Sequence, residues 1–121
     1  MNFCWITLNV EDMEKSLEFY HELLGVEILK RFSPGKEVEI VMLGEENKPK
    51  IELICNKKNK VKNQSEGISI GFEVEWLDEA MSYVKSKNIP IKKGPISPSP
   101  KVRFFFIEDP NGIQIQLVEN K

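Results

Sequence analysis

The run FCWITLNVEDMEKSLEFYHELLG, residues 3–25, carries two periodicities in succession. From Phe3 to Val10 the chain alternates, with Cys4, Ile6, Leu8 and Val10 on one side and Phe3, Trp5, Thr7 and Asn9 on the other. Successive side chains of a strand point to opposite faces, so this period of two predicts a strand with one greasier face. The period then changes. Met13, Leu17, Tyr20 and Leu24 follow steps of four, three and four, which lines up one side of a helix. Asp12 stands where its carboxylate can cap the first turn, and Gly25 where the chain can leave the helix through left-handed backbone.

Working outward, Glu27 to Phe32, Glu37 to Leu43 and Lys50 to Cys55 read as three further strands, separated by Pro34-Gly35 and the polar stretch GEENKP. Residues 57–67, KKNKVKNQSEG, are polar and basic with Val61 the one apolar residue, so they read as a linker. Lysines 57, 58, 60 and 62 there are better taken as solvated loop charge than as an anion site. Beyond the linker the pattern restarts. Ile68, Ile70, Phe72 and Val74 share one face of a strand, opposite Ser69, Gly71 and Glu73. Leu77, Ala80, Met81 and Val84 then mark a second helix. IPIKKGPISPSP reads as a short strand running into a Pro-rich loop, KVRFFFIE as a strand, DPNG as a turn and IQIQLVE as the last strand.

The two passes superpose at one offset. Val10 and Val74, Leu17 and Met81, Phe19 and Tyr83, Leu43 and Ile107, Ile51 and Ile115, and Leu53 and Leu117 all stand 64 positions apart. A single offset from first strand to last predicts a duplication. The expected fold is α+β, one domain of two tandem βαβββ modules, with module one at 1–56, the linker at 57–67 and module two at 68–121. Each half, at about 60 residues, is near the size where a lone core becomes marginal, so the halves should stabilise each other.

Composition narrows the function classes. With 121 residues and 14.0 kDa the chain fits one domain. Its 17 basic and 19 acidic residues leave a net charge of −2, with no general field to attract nucleic acid or an anionic membrane. The longest apolar runs, such as Phe104 to Ile107, are far too short to span a bilayer. The opening MNFCWITLNVED lacks the features of a signal peptide, which makes a cytoplasmic location the default expectation. Cys4 and Cys55 are the only thiols, 51 positions apart and without a CxxC, so zinc-ribbon and thioredoxin-type chemistry are excluded. They are expected to be reduced and partly buried. His21 is the sole histidine, so one chain offers no site built on two imidazoles, and its place beside Tyr20 is that of an ordinary surface histidine.

Three segments, WITLNVEDMEKSLEFYHELLGVE, ISIGFEVEWLDEA and FFFIEDPNGIQIQLVE, together resemble the vicinal oxygen chelate superfamily. That group includes glyoxalase I, extradiol dioxygenases, methylmalonyl-CoA epimerase and the bleomycin and fosfomycin resistance proteins. The resemblance covers nearly the whole chain. It implies modules whose strands curl into a cup-shaped, partly open mixed sheet with helices outside, a ligand cavity inside, and assembly as a homodimer.

Metal-dependent members carry ligands on four strands, at positions that correspond here to Trp5, Glu52, Ser69 and Gln116. A divalent transition ion wants several imidazole, thiolate or carboxylate donors. The Trp5 indole N–H only donates, Ser69 and Gln116 offer neutral oxygens, and Glu52 is the one carboxylate. No metal and no other cofactor is therefore expected. Alternation places Trp5, Thr7, Asn9, Glu52, Ile54, Ser69, Gly71, Glu73, Gln114 and Gln116 on the cup face, an amphipathic lining suited to a small organic molecule, aromatic or cationic. The same residues could instead pack a collapsed cavity, at the cost of burying Glu52 and Glu73. Arg103 would anchor a ligand carboxylate or pair with a neighbouring acid, and the faces taken by Phe104, Phe105 and Phe106 stay open.

Two functions follow from the resemblance. One is a metal-independent binding protein of the bleomycin-resistance type, with Trp5, Thr7, Asn9, Glu52, Ser69, Glu73, Arg103, Gln114 and Gln116 around its ligand. The alternative is a lyase of the glyoxalase I type with a degenerate metal site, in which Glu52 would be the catalytic acid or base.

Overall fold

A computed structural model describes residues 1–58 and 66–121, so most of the expected linker lies outside the described residues. The chain divides into two compact units, residues 1–62 and 63–121. Unit 1 runs β1 (Trp5–Asn9), α1 (Met13–Leu17), β2 (Ile28–Gly35), β3 (Val38–Leu43) and β4 (Lys50–Asn56). Unit 2 runs β5 (Ser69–Glu73), α2 (Leu77–Ser86), β6 (Lys93–Ser99), β7 (Val102–Glu108) and β8 (Gln114–Asn120). The sheets are ordered β1-β4-β3-β2 and β5-β8-β7-β6, each with one parallel pair and two antiparallel ones. This is the tandem βαβββ, α+β architecture. The offset of 64 holds down to single residue pairs, since Trp5 faces Lys50 where Ser69 faces Gln114. No helix among the described residues is long and apolar enough to cross a membrane.

Alternation sorts each sheet into a core face and an open face. In unit 1 the buried set is Leu8, Val41, Leu43, Ile51 and Leu53 from the strands, with Met13, Leu17, Phe19 and Tyr20 from the helical segment. In unit 2 it is Phe105, Ile107, Ile115 and Leu117, with Leu77 and Val84 from α2. Each such side chain contributes about 1.5–3 kcal/mol by leaving water.

The first helix begins as predicted, with Asp12 accepting the N–H of Lys15 at 3.1 Å. Past Leu17 it widens into a π-helical segment, Glu18–Leu23, and the Leu24 N–H reaches back five residues to Phe19 O at 3.0 Å. The wider turn brings Phe19 as well as Tyr20 into the core, their rings edge to face at 5.0 Å. The chain then leaves through Gly25 at φ 74°.

At the equivalent of Asp12 the second helix has Trp76, which supplies no capping side chain. The Leu77 N–H is satisfied instead by Glu119 Oε2 of β8, at 2.8 Å. Helix and sheet are also tied by charge in both units. In unit 1, Arg31 of β2 bonds both Glu14 of the helix and Glu39 of β3, and in unit 2 Arg103 of β7 bonds Asp78 of α2 at 3.1 Å. These partly exposed pairs contribute at most about 1 kcal/mol each.

One expected element is displaced. The strand predicted from Ile89 begins instead at Lys93 and runs through the Pro-rich segment to Ser99. β6 is an edge strand, bonded only to β7 and with register shifts on both sides of Ile96, so Pro95 and Pro98 remove no N–H that an inner strand would need. Gly94 is forced by space and conformation together. At φ +100°, a Cβ there would lie 2.9 Å from Phe104 O and 3.0 Å from Phe105 Cα.

Two stability outcomes follow. Glu119→Ala should cost about 1 kcal/mol in urea denaturation, the scale of a lost helix cap, with Glu119→Gln recovering part of it. Gly94→Ala should cost about 2 kcal/mol or more, because strained backbone and a steric clash add.

Candidate functional site: the open sheet faces

The open face of unit 1 follows from its register. Thr7 lies opposite Glu52, Glu52 opposite Met42, and Met42 opposite Lys30, a row across all four strands. The next row runs Asn9, Ile54, Ile40, Phe32, and Trp5 stands beside Lys50 at the other end of β1. Trp5 is 51% exposed. The Thr7 hydroxyl donates to Glu52 Oε1 at 2.7 Å.

Lys50 and Lys30 of this face are engaged by groups other than Glu52. Lys50 Nζ donates to the carbonyls of Glu46 at 2.8 Å and Lys48 at 3.1 Å, closing the loop before β4. Lys30 Nζ sits 4.6 Å from the centroid of the Phe32 ring. Among the described residues, no ion pair reaches Glu52.

Unit 2 presents Ser69, Gly71 and Glu73 from β5, Gln114, Gln116 and Val118 from β8, and Phe104, Phe106 and Glu108 from β7. Gln116 Oε1 lies 3.4 Å from where a Cβ on Gly71 would stand, so the amide reaches over the glycine. Phe104 and Phe106 meet edge to face at 5.8 Å on this side, whereas Phe105 is fully buried on the other. Ser69, Gln114 and Glu108 also border a solvent-open recess of about 480 Å³.

The predicted site residues thus fall on two open faces, with one exception. Trp5, Thr7, Asn9 and Glu52 share that of unit 1, and Ser69, Glu73, Gln114 and Gln116 that of unit 2. Arg103 alternates with Phe104 and points the other way, to Asp78. Of its two readings, the neighbouring acid is the one realised. Met42, Ile40, Lys30 and Phe32 complete the first face, and the sequence pattern alone does not assign them to it. Alternation pairs Lys30 with Phe32, but which side of β2 and β3 is open depends on their register with β4.

The remaining reactive side chains lie elsewhere. His21 Nδ1–H donates to the Val26 carbonyl at 2.8 Å, closing the end of the first helix. Cys4 precedes β1 while Cys55 lies at the far end of β4, with all five register pairs of β1 and β4 between them, so the two thiols do not meet. Cys55 is half-buried as expected, but Cys4 is exposed because it stands ahead of the paired strand.

The donor set does not fit a divalent transition metal. Of the four relevant side chains Glu52 alone is anionic, and Thr7 already holds one of its oxygens. Trp5 has no lone pair to offer, and Ser69 and Gln116 contribute neutral oxygens. Among the described residues there is no group of three or more His, Cys, Asp or Glu able to hold an ion.

The lactoylglutathione lyase of Neisseria meningitidis serogroup A is 30% identical over 121 residues, covering 94% of this chain and 87% of its own. That of Haemophilus influenzae is 26% identical, covering 94% and 89%. Glyoxalase I of Leishmania major superposes with a TM-score of 0.83 at 24% identity, over 98% of this chain and 86% of its own. TnmS3, an antibiotic binding protein from Streptomyces, superposes with a TM-score of 0.76 at 18% identity, over 100% and 97%. At those identities the structural likeness speaks for the fold alone. Residues 3–117 match the profile of the Glyoxalase/Bleomycin resistance protein/Dioxygenase superfamily, and the chain belongs to that superfamily.

Proposed function

We propose that this chain is a metal-independent small-molecule-binding protein of the bleomycin-resistance type, which holds an aromatic or cationic organic ligand and transforms nothing. One observation carries the reading. The positions that hold metal ligands in metal-dependent relatives are Trp5, Ser69 and Gln116 beside a single carboxylate, a donor set that binds organic molecules better than ions. The open faces support it with an indole, two half-buried phenylalanines and a few polar groups, the usual composition of a ligand wall. Assembly as a cytoplasmic homodimer is part of the same proposal.

A second reading is favoured by the identity of 26–30% to proteins named lactoylglutathione lyase and by the presence of Glu52. In it the chain is a lyase and Glu52 moves the proton. It ranks second because the side chains that would hold an electrophilic ion are missing, and proton abstraction next to a carbonyl needs charge stabilisation as well as a base.

Elemental analysis of protein purified without chelator should find well below one equivalent of nickel, zinc, iron or manganese per chain; stoichiometric metal would overturn the first reading. Lactoylglutathione formation should stay at background with nickel or zinc added, and turnover abolished by Glu52→Gln would install the second. In a Trp76→Phe protein, whose one remaining indole is Trp5, a panel of planar aromatic compounds should include saturable quenchers of fluorescence. No quenching by any of them would count against a ligand on this face.

A further inference from the structure

We propose that Thr7 is the positioning residue that fixes Glu52 on the open face of unit 1, and that the pair restricts this face to ligands carrying a protonated amine beside a flat apolar group. The inference rests on the reading that this face holds a small organic molecule, and adds to it the ligand class and the residue that sets it.

Thr7 and Glu52 are direct register partners on parallel strands, and the hydroxyl donates to Oε1 at 2.7 Å. A carboxylate that receives a hydroxyl proton in this way acts as an acceptor, and a β-branched side chain on a strand holds its χ1 angle tightly. One oxygen of Glu52 is therefore anchored, and the other is presented from a fixed carboxylate.

Charge bookkeeping on the face points to a cationic group as its partner. Lys50, adjacent along β4, spends its ammonium on the carbonyls of Glu46 and Lys48. Lys30, at the far end of the same row, lies over the Phe32 ring. Among the described residues no ion pair reaches Glu52, and this half-buried carboxylate has no cation there as its partner. An ammonium group is the complement that both neutralises it and donates to the presented oxygen.

The rest of the ligand is read from the neighbours. Trp5, two residues before Thr7 and on the same side of β1, offers an exposed aromatic face, which attracts both planar apolar groups and cations. Met42 of β3, directly opposite Glu52, adds a polarizable apolar side chain.

Isothermal titration calorimetry with 2-naphthylmethylammonium and its neutral match 2-naphthylmethanol tests the proposal. The wild-type chain should bind the ammonium about tenfold more tightly than the alcohol, the worth of one charge-assisted hydrogen bond. Thr7→Val keeps the branched shape without the hydroxyl and should lose most of that ratio, whereas Thr7→Ser keeps the donor and should restore it. Glu52→Gln should abolish the ratio. Thermal midpoints of the Val and Ser variants close to wild type would separate positioning from folding. Equal binding of the two probes by wild type would overturn the cation preference while leaving the binding reading intact. A ratio undiminished in Thr7→Val would overturn the role of Thr7. Failure of both probes to bind would remove the binding reading and this inference together.

Discussion

In each unit the first strand lies parallel to the last, β1 beside β4 and β5 beside β8, and most other features depend on that pairing. Parallel neighbours cannot be joined by a tight turn, so each unit needs a connection that crosses from one end of its sheet to the other. The helical segment begins that crossing and covers one face on the way. The same pairing sets Thr7 against Glu52 and Gly71 against Gln116. Because strand side chains alternate strictly, a slip of one residue would bury Glu52 and expose Leu53, exchanging the open face for the core.

The duplicated architecture is kept by different chemistry in its two copies. Asp12 caps the first helix from within its own turn, whereas the second has Trp76 at that position and takes its acceptor from Glu119 of a distant strand. The helix-to-sheet ion pair is reversed in design. Glu39 of unit 1 reaches Glu14 only through an intervening Arg31, while its equivalent, Arg103, reaches Asp78 directly. Phe19 is 5% exposed and its equivalent Tyr83 is 41% exposed. The backbone pattern is thus held by strand register and core volume, and the polar contacts have been free to diverge around it.

The open faces have diverged in the same way. Unit 1 pairs an indole with a hydroxyl-anchored carboxylate, and unit 2 sets two phenylalanines among the amides of Gln114 and Gln116 and the carboxylates of Glu73 and Glu108. Neither set resembles the ligand shell of a transition metal, which is built from several anionic or imidazole donors. Membership of a superfamily with many metal-dependent enzymes therefore does not decide the chemistry of this chain. The donor types at Trp5, Ser69 and Gln116 weigh more.

The sequence by itself determined the order of elements, the duplication at 64, and the type of residue on each face, because hydrophobic alternation and helical spacing are local and repeat faithfully. It also set Trp5, Ser69 and Gln116 beside Glu52 at the positions where the resemblance places metal ligands, which is a matter of residue identity. Only the tertiary structure decided which neighbour each polar group meets. The anchoring of Glu52 by Thr7, the capping of α2 by Glu119, the turning of Arg103 towards Asp78 and the edge position that lets β6 carry two prolines all join residues far apart in the chain. Such contacts are set by strand register and by which strand lies at an edge, and no local pattern carries that information.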